Sequence, residues 1–190
     1  MILLAIHLLV FMVMVKYLIK CKNIPHVSSS LLGFSLVLYY SATNTTKRVA
    51  ETVANKLSAD IAESHPSLPY TATDLKWHDE NSRTTIEQHN SRVAIKDDLP
   101  DISNYRNIVI GHPIWWAIPL RIISTVIDNL DLNGKNLALF ATSGGTNYDR
   151  AKSLIERTIK DNNYDVNVNR GEVLNSSSQV DKWINSLNLA

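Results

Sequence analysis

Short continuous apolar runs alternate along this chain with stretches in which apolar residues recur every three or four positions. Phe34 to Tyr40, Ile108 to Ile110 and Leu137 to Ala141 are runs of the first kind, spelled for strands buried on both faces. Val49, Val53, Leu57 and Ile61 recur every four residues and place one apolar stripe on one helix face. The pattern predicts strand 34–40, helix 45–63, strand 68–75, an irregular polar stretch 76–104, strand 106–111, helix 119–130, strand 135–141, helix 147–162, strand 165–173 and helix 178–187. Strands alternating with helices predict an α/β fold with a five-stranded parallel sheet and right-handed crossovers. The stretch 76–104 is long for a connection. The 190 residues suit one domain with a sizeable core, and no repeat interrupts them.

Three apolar runs end in loops whose residue types carry chemistry. The first run stops at Ser41-Ala42-Thr43-Asn44-Thr45-Thr46, and a helical pattern starts at once. Free N–H groups of a first helical turn, the helix dipole and four hydroxyls make a phosphate cradle, and no carboxylate lies in the loop to repel an anion. The plainer alternative is a Ser/Thr-capped helix. Neither G-x-x-x-x-G-K-[ST] nor G-x-G-x-x-G is present, because no glycine lies between Gly33 and Gly111. The second run ends at Gly111, followed by His112 and a loop bounded by Pro113 and Pro119 that carries Ile114, Trp115, Trp116 and Ala117. The prolines stiffen that loop, and each tryptophan offers a flat face with one N–H. Either the indoles serve a ligand or both pack under the following helix, and one of the two is expected to pack there. The third run ends in Thr142-Ser143-Gly144-Gly145, where glycine lets backbone approach a planar ligand. Tyr148 follows, either to stack on that ligand or to open the next helix. A nucleophile elbow is excluded, because Ala141 stands where G-x-S-x-G needs glycine.

Taken together, these segments resemble the flavodoxin family. Its first loop reads roughly S-x-T-G-x-T and holds the phosphate of FMN; the chain matches it at Ser41, Thr43 and Thr46. Gly111, Pro113, Ile114, Trp115 and Trp116 match a G-x-P-I-W-W loop common in bacterial flavodoxin-like proteins, whose backbone wraps the isoalloxazine ring. Phe140 to Gly145 is similar to the family's F-x-T-S-G-G loop, which borders the same ring. The resemblance spans about Phe34 to Leu174 and implies a doubly wound sheet of order 2-1-3-4-5, in the short-chain form. FMN would then lie at the carboxyl ends of the strands. It implies Ser41, Ala42, Thr43, Asn44, Thr45 and Thr46 at the phosphate, Pro113 to Ala117 at the pyrimidine and N5 edge, Thr142 to Gly145 opposite, and Trp115 or Trp116 together with Tyr148 stacking. One departure stands out: Asn44 replaces the family glycine. Asn is among the residues that best tolerate positive φ, at a cost on the order of 1 kcal/mol.

The remaining residues narrow the function. Asp74-Leu75-Lys76-Trp77, Ser82-Arg83, Glu87, Arg92 and Ala94-Ile95 resemble a spelling found in a subgroup of the family, which implies a place near the cofactor edge; taken alone they read as a solvated short helix with charge pairs. His78, Asp79, Glu80 and His89 lack any recognised ligand spacing, so no metal is expected. His112 reads either as an electrostatic or proton partner of a flavin or as a polar residue at a strand end. Cys21 stands alone, which excludes an internal disulfide.

Residues 1–30 form an apolar extension ahead of a domain over 31–190. Ile2 to Val15 is almost wholly apolar and is followed by Lys16, Lys20 and Lys22. It reads as a membrane anchor with the domain facing the cytoplasm, as an extra helix, or as an upstream start preceding Met12 or Met14. Any membrane association is expected through residues 1–20 only, and the domain is expected in the cytoplasm. Setting aside the extension's three lysines takes the formal charge from +1 to −2. No basic patch with interleaved aromatics favours nucleic acid. A nearly neutral surface steers weakly, unlike a strongly acidic electron shuttle. Three functions stay open: FMN-based electron transfer with a redox partner protein or small-molecule acceptor, an NAD(P)H-dependent reductase of quinones or nitro compounds using FMN, and a flavodoxin-like fold that has lost FMN through Asn44.

Overall fold

Every second residue of the first strand goes to a different core, and the architecture follows from that. The computed structural model describes residues 34–76, 78–90, 92–96, 98–116 and 118–189. The N-terminal extension with Cys21, Trp77 and Ala117 lie outside the described residues. In β1 (Ser35–Tyr39), Leu36 and Leu38 join one hydrophobic cluster while Val37 and Tyr39 join another. A strand lined on both faces must be covered on both sides. Helices α1 (Thr45–Leu57) and α5 (Ser177–Ile184) cover one face with Ala50, Val53, Ala54, Val180 and Trp183. Helices α3 (Ile122–Asp128) and α4 (Asp149–Asp161) cover the other with Ile122, Ile123, Ile127, Ile155 and Ile159.

The sheet runs β2 (Asp60–Glu63), β1, β3 (Asn107–Trp115), β5 (Asn136–Thr142) and then β6 (Asn167–Val168), all parallel. β7 (Glu172–Val173) also pairs with β5, and β4 (Ile118–Pro119) pairs antiparallel with β3. Taking β6 and β7 as one interrupted strand and setting β4 aside, this is the expected 2-1-3-4-5 order. The interruption lies at Gly171, where the ring of Tyr148 occupies the space a Cβ would take, 2.0 Å from its position. The expected strand 165–173 forms as two short pieces.

An amide ladder pins the amino ends of the strands. Asn107 Nδ2 donates to Ser35 Oγ (3.2 Å), Asn136 Nδ2 to Asn107 Oδ1 (2.9 Å) and Asn167 Nδ2 to Asn136 Oδ1 (2.9 Å). These residues are register partners across neighbouring strands.

Other expected elements differ as well. The helix over 45–63 stops at Leu57, where Ser58 turns left-handed (φ 51°) and its N–H closes on Ala54 and Asn55. Ile61, the last residue of the expected stripe, lies instead on the edge strand β2 and is 43% exposed. No strand forms over 68–75. There, Thr71 and Asp74 bond each other through backbone and side chains: Thr71 N–H and Oγ1 donate to Asp74 Oδ2 (2.7 and 2.8 Å). Such local bonds compete with a ladder and hold a turn. The polar stretch after it carries helix α2 (Arg83–Asn90).

Candidate functional site

Three loops leave the carboxyl rim of the sheet and meet around one cleft of about 660 Å³, lined by Thr43, Leu75, Ile114, Trp115, Trp116, Ser143, Gly144, Gly145 and Thr146. That volume lies inside the range of roughly 300–1,000 Å³ common to small-molecule sites. None of these residues is ionisable at neutral pH, so the wall is apolar with hydroxyls and backbone amides at its margins.

The first loop connects β1 to α1. Asn44 sits at the start of the helix with φ 61° and ψ 2°, and its side chain does not cap the helix. The backbone there needs the left-handed region that the family glycine would supply, and Asn fills it. No acidic residue stands in the first turn. Ser41 Oγ is buried with no hydrogen-bond partner. Thr43 Oγ1 lies 3.3 Å from Thr45 Oγ1. Thr46 turns away: its buried hydroxyl meets Thr142 Oγ1 at 2.8 Å and ties the first loop to the end of β5. Ala42 packs against the core. Thr45 and Thr142 line a smaller adjoining cleft of about 380 Å³ between α1 and α5.

The second loop is a hairpin and not the expected Pro-bounded loop. β3 continues past Gly111 through Pro113 to Trp115, then turns at Trp116 into β4. β1 has ended there, so the missing N–H of Pro113 breaks no ladder, and its carbonyl accepts from Leu120 N–H (3.3 Å). The indoles divide the work. Trp115 packs against the core while lining the cleft; Trp116, 37% exposed with φ 50°, meets it edge-on at 6.3 Å.

The third loop folds on Ser143, whose Oγ accepts from Gly145 N–H (3.3 Å) and Thr146 N–H (2.9 Å). Asn175 Nδ2 holds the Ser143 carbonyl (3.0 Å). Gly144 and Gly145 have open space where a Cβ would stand, so both leave room at the cleft wall.

Tyr148 does not join the cleft. It is 7% exposed, and its hydroxyl lies 3.3 Å from His112 Nε2. The expected stacking role is therefore replaced by a core one, because the tyrosine follows the loop by three residues and turns under the sheet edge toward Gly171. His112 is fully buried, with Nδ1 3.1 Å from the Pro113 carbonyl. A carbonyl only accepts, so Nδ1 carries the hydrogen and Nε2 accepts from Tyr148. Desolvation pushes its pKa down to about 4, against a smaller upward push from the Pro113 carbonyl. It is a buried core residue and does not line the cleft.

Sequence reasoning missed Thr146 and Gln88. Leu75 lines the cleft, in the segment whose spelling implies a place near the cofactor edge. Gln88 on α2 carried no signal: it is buried, and its Nε2 donates to the carbonyls of Trp115 (3.2 Å) and Pro119 (3.5 Å). The helix bears its expected charge pair, Arg83 Nε to Glu87 Oε1 at 2.7 Å.

The sequence matches the flavodoxin family model over residues 34–187. No curated protein sequence gives a match. Among solved structures, one from Bacteroides uniformis designated a flavoprotein shares 37% identity over 80% of this chain and 98% of its own, with a TM-score of 0.73. A second, from Bacteroides eggerthii and designated likewise, shares 34% identity over 80% and 96%, also at 0.73. A flavoprotein from Lactobacillus acidophilus, solved in complex with FMN, shares 29% identity over 80% and 99%, at 0.60.

Proposed function

From a chain that belongs to the flavodoxin family, we propose a protein that holds FMN in the cleft at the carboxyl rim and exchanges electrons through it. The observation that carries this reading is the convergence of three loops on one uncharged cleft, with a buried, unpartnered Ser41 hydroxyl in the loop expected at the phosphate. A similar flavoprotein binds FMN, which supports the same ligand here.

The residues present fit that group. Ser41 Oγ and the first turn of α1 would bind the phosphate, with Thr43 and Thr45 hydroxyls beside it. Trp115 and Trp116 would hold one side of the ring and exclude water from it, and the open flank of Gly144 and Gly145 would take the other side. When bound, the flavin supplies the one- and two-electron chemistry, and the protein sets its position and electrostatics. An uncharged wall without basic groups favours the neutral ring over any anionic form. No acid–base side chain need stand in the wall for electron transfer.

The electron partner is a redox protein or a small acceptor molecule. The near-neutral surface favours partners that are not selected by long-range charge. The test begins with the absorbance spectrum of the purified protein, followed by titration with FMN. A flavin band that shifts on binding is expected; a colourless protein that leaves FMN unperturbed at high concentration overturns the reading. Ser41→Ala and Thr43→Ala should each weaken FMN by about 1–3 kcal/mol, measured by quenching of flavin fluorescence. Steady-state NAD(P)H oxidation with a quinone would assign a reductase; electron exchange without turnover would assign a carrier.

A further inference from the structure

We infer that α2 is a brace for the ring-binding wall and that Gln88 is the residue through which it acts; this rests on the FMN reading above. Two observations meet at Gln88. Its Nε2 reaches the carbonyls of both Trp115 and Pro119, so one amide spans both arms of the tryptophan hairpin. Its Oε1 is buried with no partner. An apolar residue of the same length would fill this space without stranding an oxygen, so the value of the amide here lies in its two N–H donors.

The hairpin needs holding. Trp116 at its turn is a large residue with φ 50°, a conformation that persists only where the surroundings impose it. Only two register pairs, Ile114 with Pro119 and Trp115 with Ile118, close the hairpin itself. The clamp from Gln88 bonds one residue of each pair, Trp115 and Pro119, from outside the sheet.

The other end of the brace is fixed as firmly. The Arg83 guanidinium sits 4.3 Å over the ring of Tyr70 and donates to the Leu68 carbonyl (2.8 Å). Glu87 pairs with Arg83 and accepts from the Tyr70 hydroxyl. Thr84 Oγ1 donates to the Asp74 carbonyl (2.5 Å), next to the cleft residue Leu75. Helix α2 thus joins two parts of one wall, Leu75 by its first turn and the tryptophans by its last. Gln88 is a positioning residue: it sets the separation of these walls and touches no reacting atom.

The test uses the full chain. Gln88→Met removes both donors at similar volume; Gln88→Asn keeps the amide but draws it back by one methylene. Thr85→Val, on the same helix, removes a buried hydroxyl whose partner is Ser82 and controls for loss of helix stability. Three readouts are taken: the FMN dissociation constant, the visible circular dichroism of bound FMN, and the near-ultraviolet circular dichroism of the flavin-free protein, which senses the edge-on Trp115–Trp116 pair. Both Gln88 variants should weaken FMN about tenfold and change both dichroism spectra. The Thr85→Val protein should retain wild-type spectra and affinity. Folded Gln88 variants with unaltered spectra and affinity overturn the inference, as does an equal loss in Thr85→Val. If the wild-type protein binds no FMN, the FMN reading fails by itself, while the flavin-free spectra still decide whether Gln88 sets the hairpin.

Discussion

Asn44 holds the start of α1 in a conformation that costs most side chains dearly, and it does so at the position where the family has glycine. The left-handed region penalises a Cβ by about 1–2 kcal/mol, and asparagine suffers least among residues other than glycine. Asn44→Gly is therefore expected to keep or raise the urea midpoint, and Asn44→Ala to lower stability by up to about 1 kcal/mol. A midpoint unchanged in Asn44→Ala would mean that the loop relaxes to another backbone. Titration at His112 is the second prediction at this scale. The folded state keeps this imidazole uncharged down to about pH 4, while the unfolded chain protonates it near 6.5. Between those values the unfolded state binds the extra proton, so stability falls as pH drops through that window. The loss reaches on the order of 3 kcal/mol at its lower end. Urea denaturation at pH 7 and pH 4.5 should show a smaller drop in His112→Asn than in the wild type.

Element boundaries were the least legible part of the sequence. The stripe Val49, Val53, Leu57 fits α1, but Ile61 continued the same period into an edge strand by coincidence of spacing. A four-residue edge strand of Asp, Ile, Ala and Glu has little β-spelling, and only pairing with β1 reveals it. The Thr71–Asp74 turn likewise holds residues whose composition suits a strand until their side chains bond the local backbone. The strand starts, by contrast, are fixed by the Asn107, Asn136 and Asn167 ladder. Asn136→Ala removes the donor to Asn107 Oδ1 and the acceptor of Asn167 Nδ2, and should cost about 1–3 kcal/mol by chemical denaturation. A loss below about 0.5 kcal/mol would show that water replaces the amide.

At the scale of the whole molecule, the continuous runs at Leu36–Tyr39, Ile108–Ile110 and Leu137–Ala141 determined the parallel sheet, because strands buried on both faces leave no polar alternate positions. The loop spellings marked the rim that carries the cleft and, through Asn44, a first loop that takes positive φ. Those are local properties of short segments, and they are written in residue type and spacing. What the tertiary structure alone decided is which side chains face the cleft. Thr46 meets Thr142 and Tyr148 meets His112, so two residues spelled for the ligand serve the core. Gln88, which carried no such spelling, holds the wall. The direction of a side chain depends on partners distant in sequence, 96 residues away for Thr46 and 27 for Gln88, and no local period encodes them.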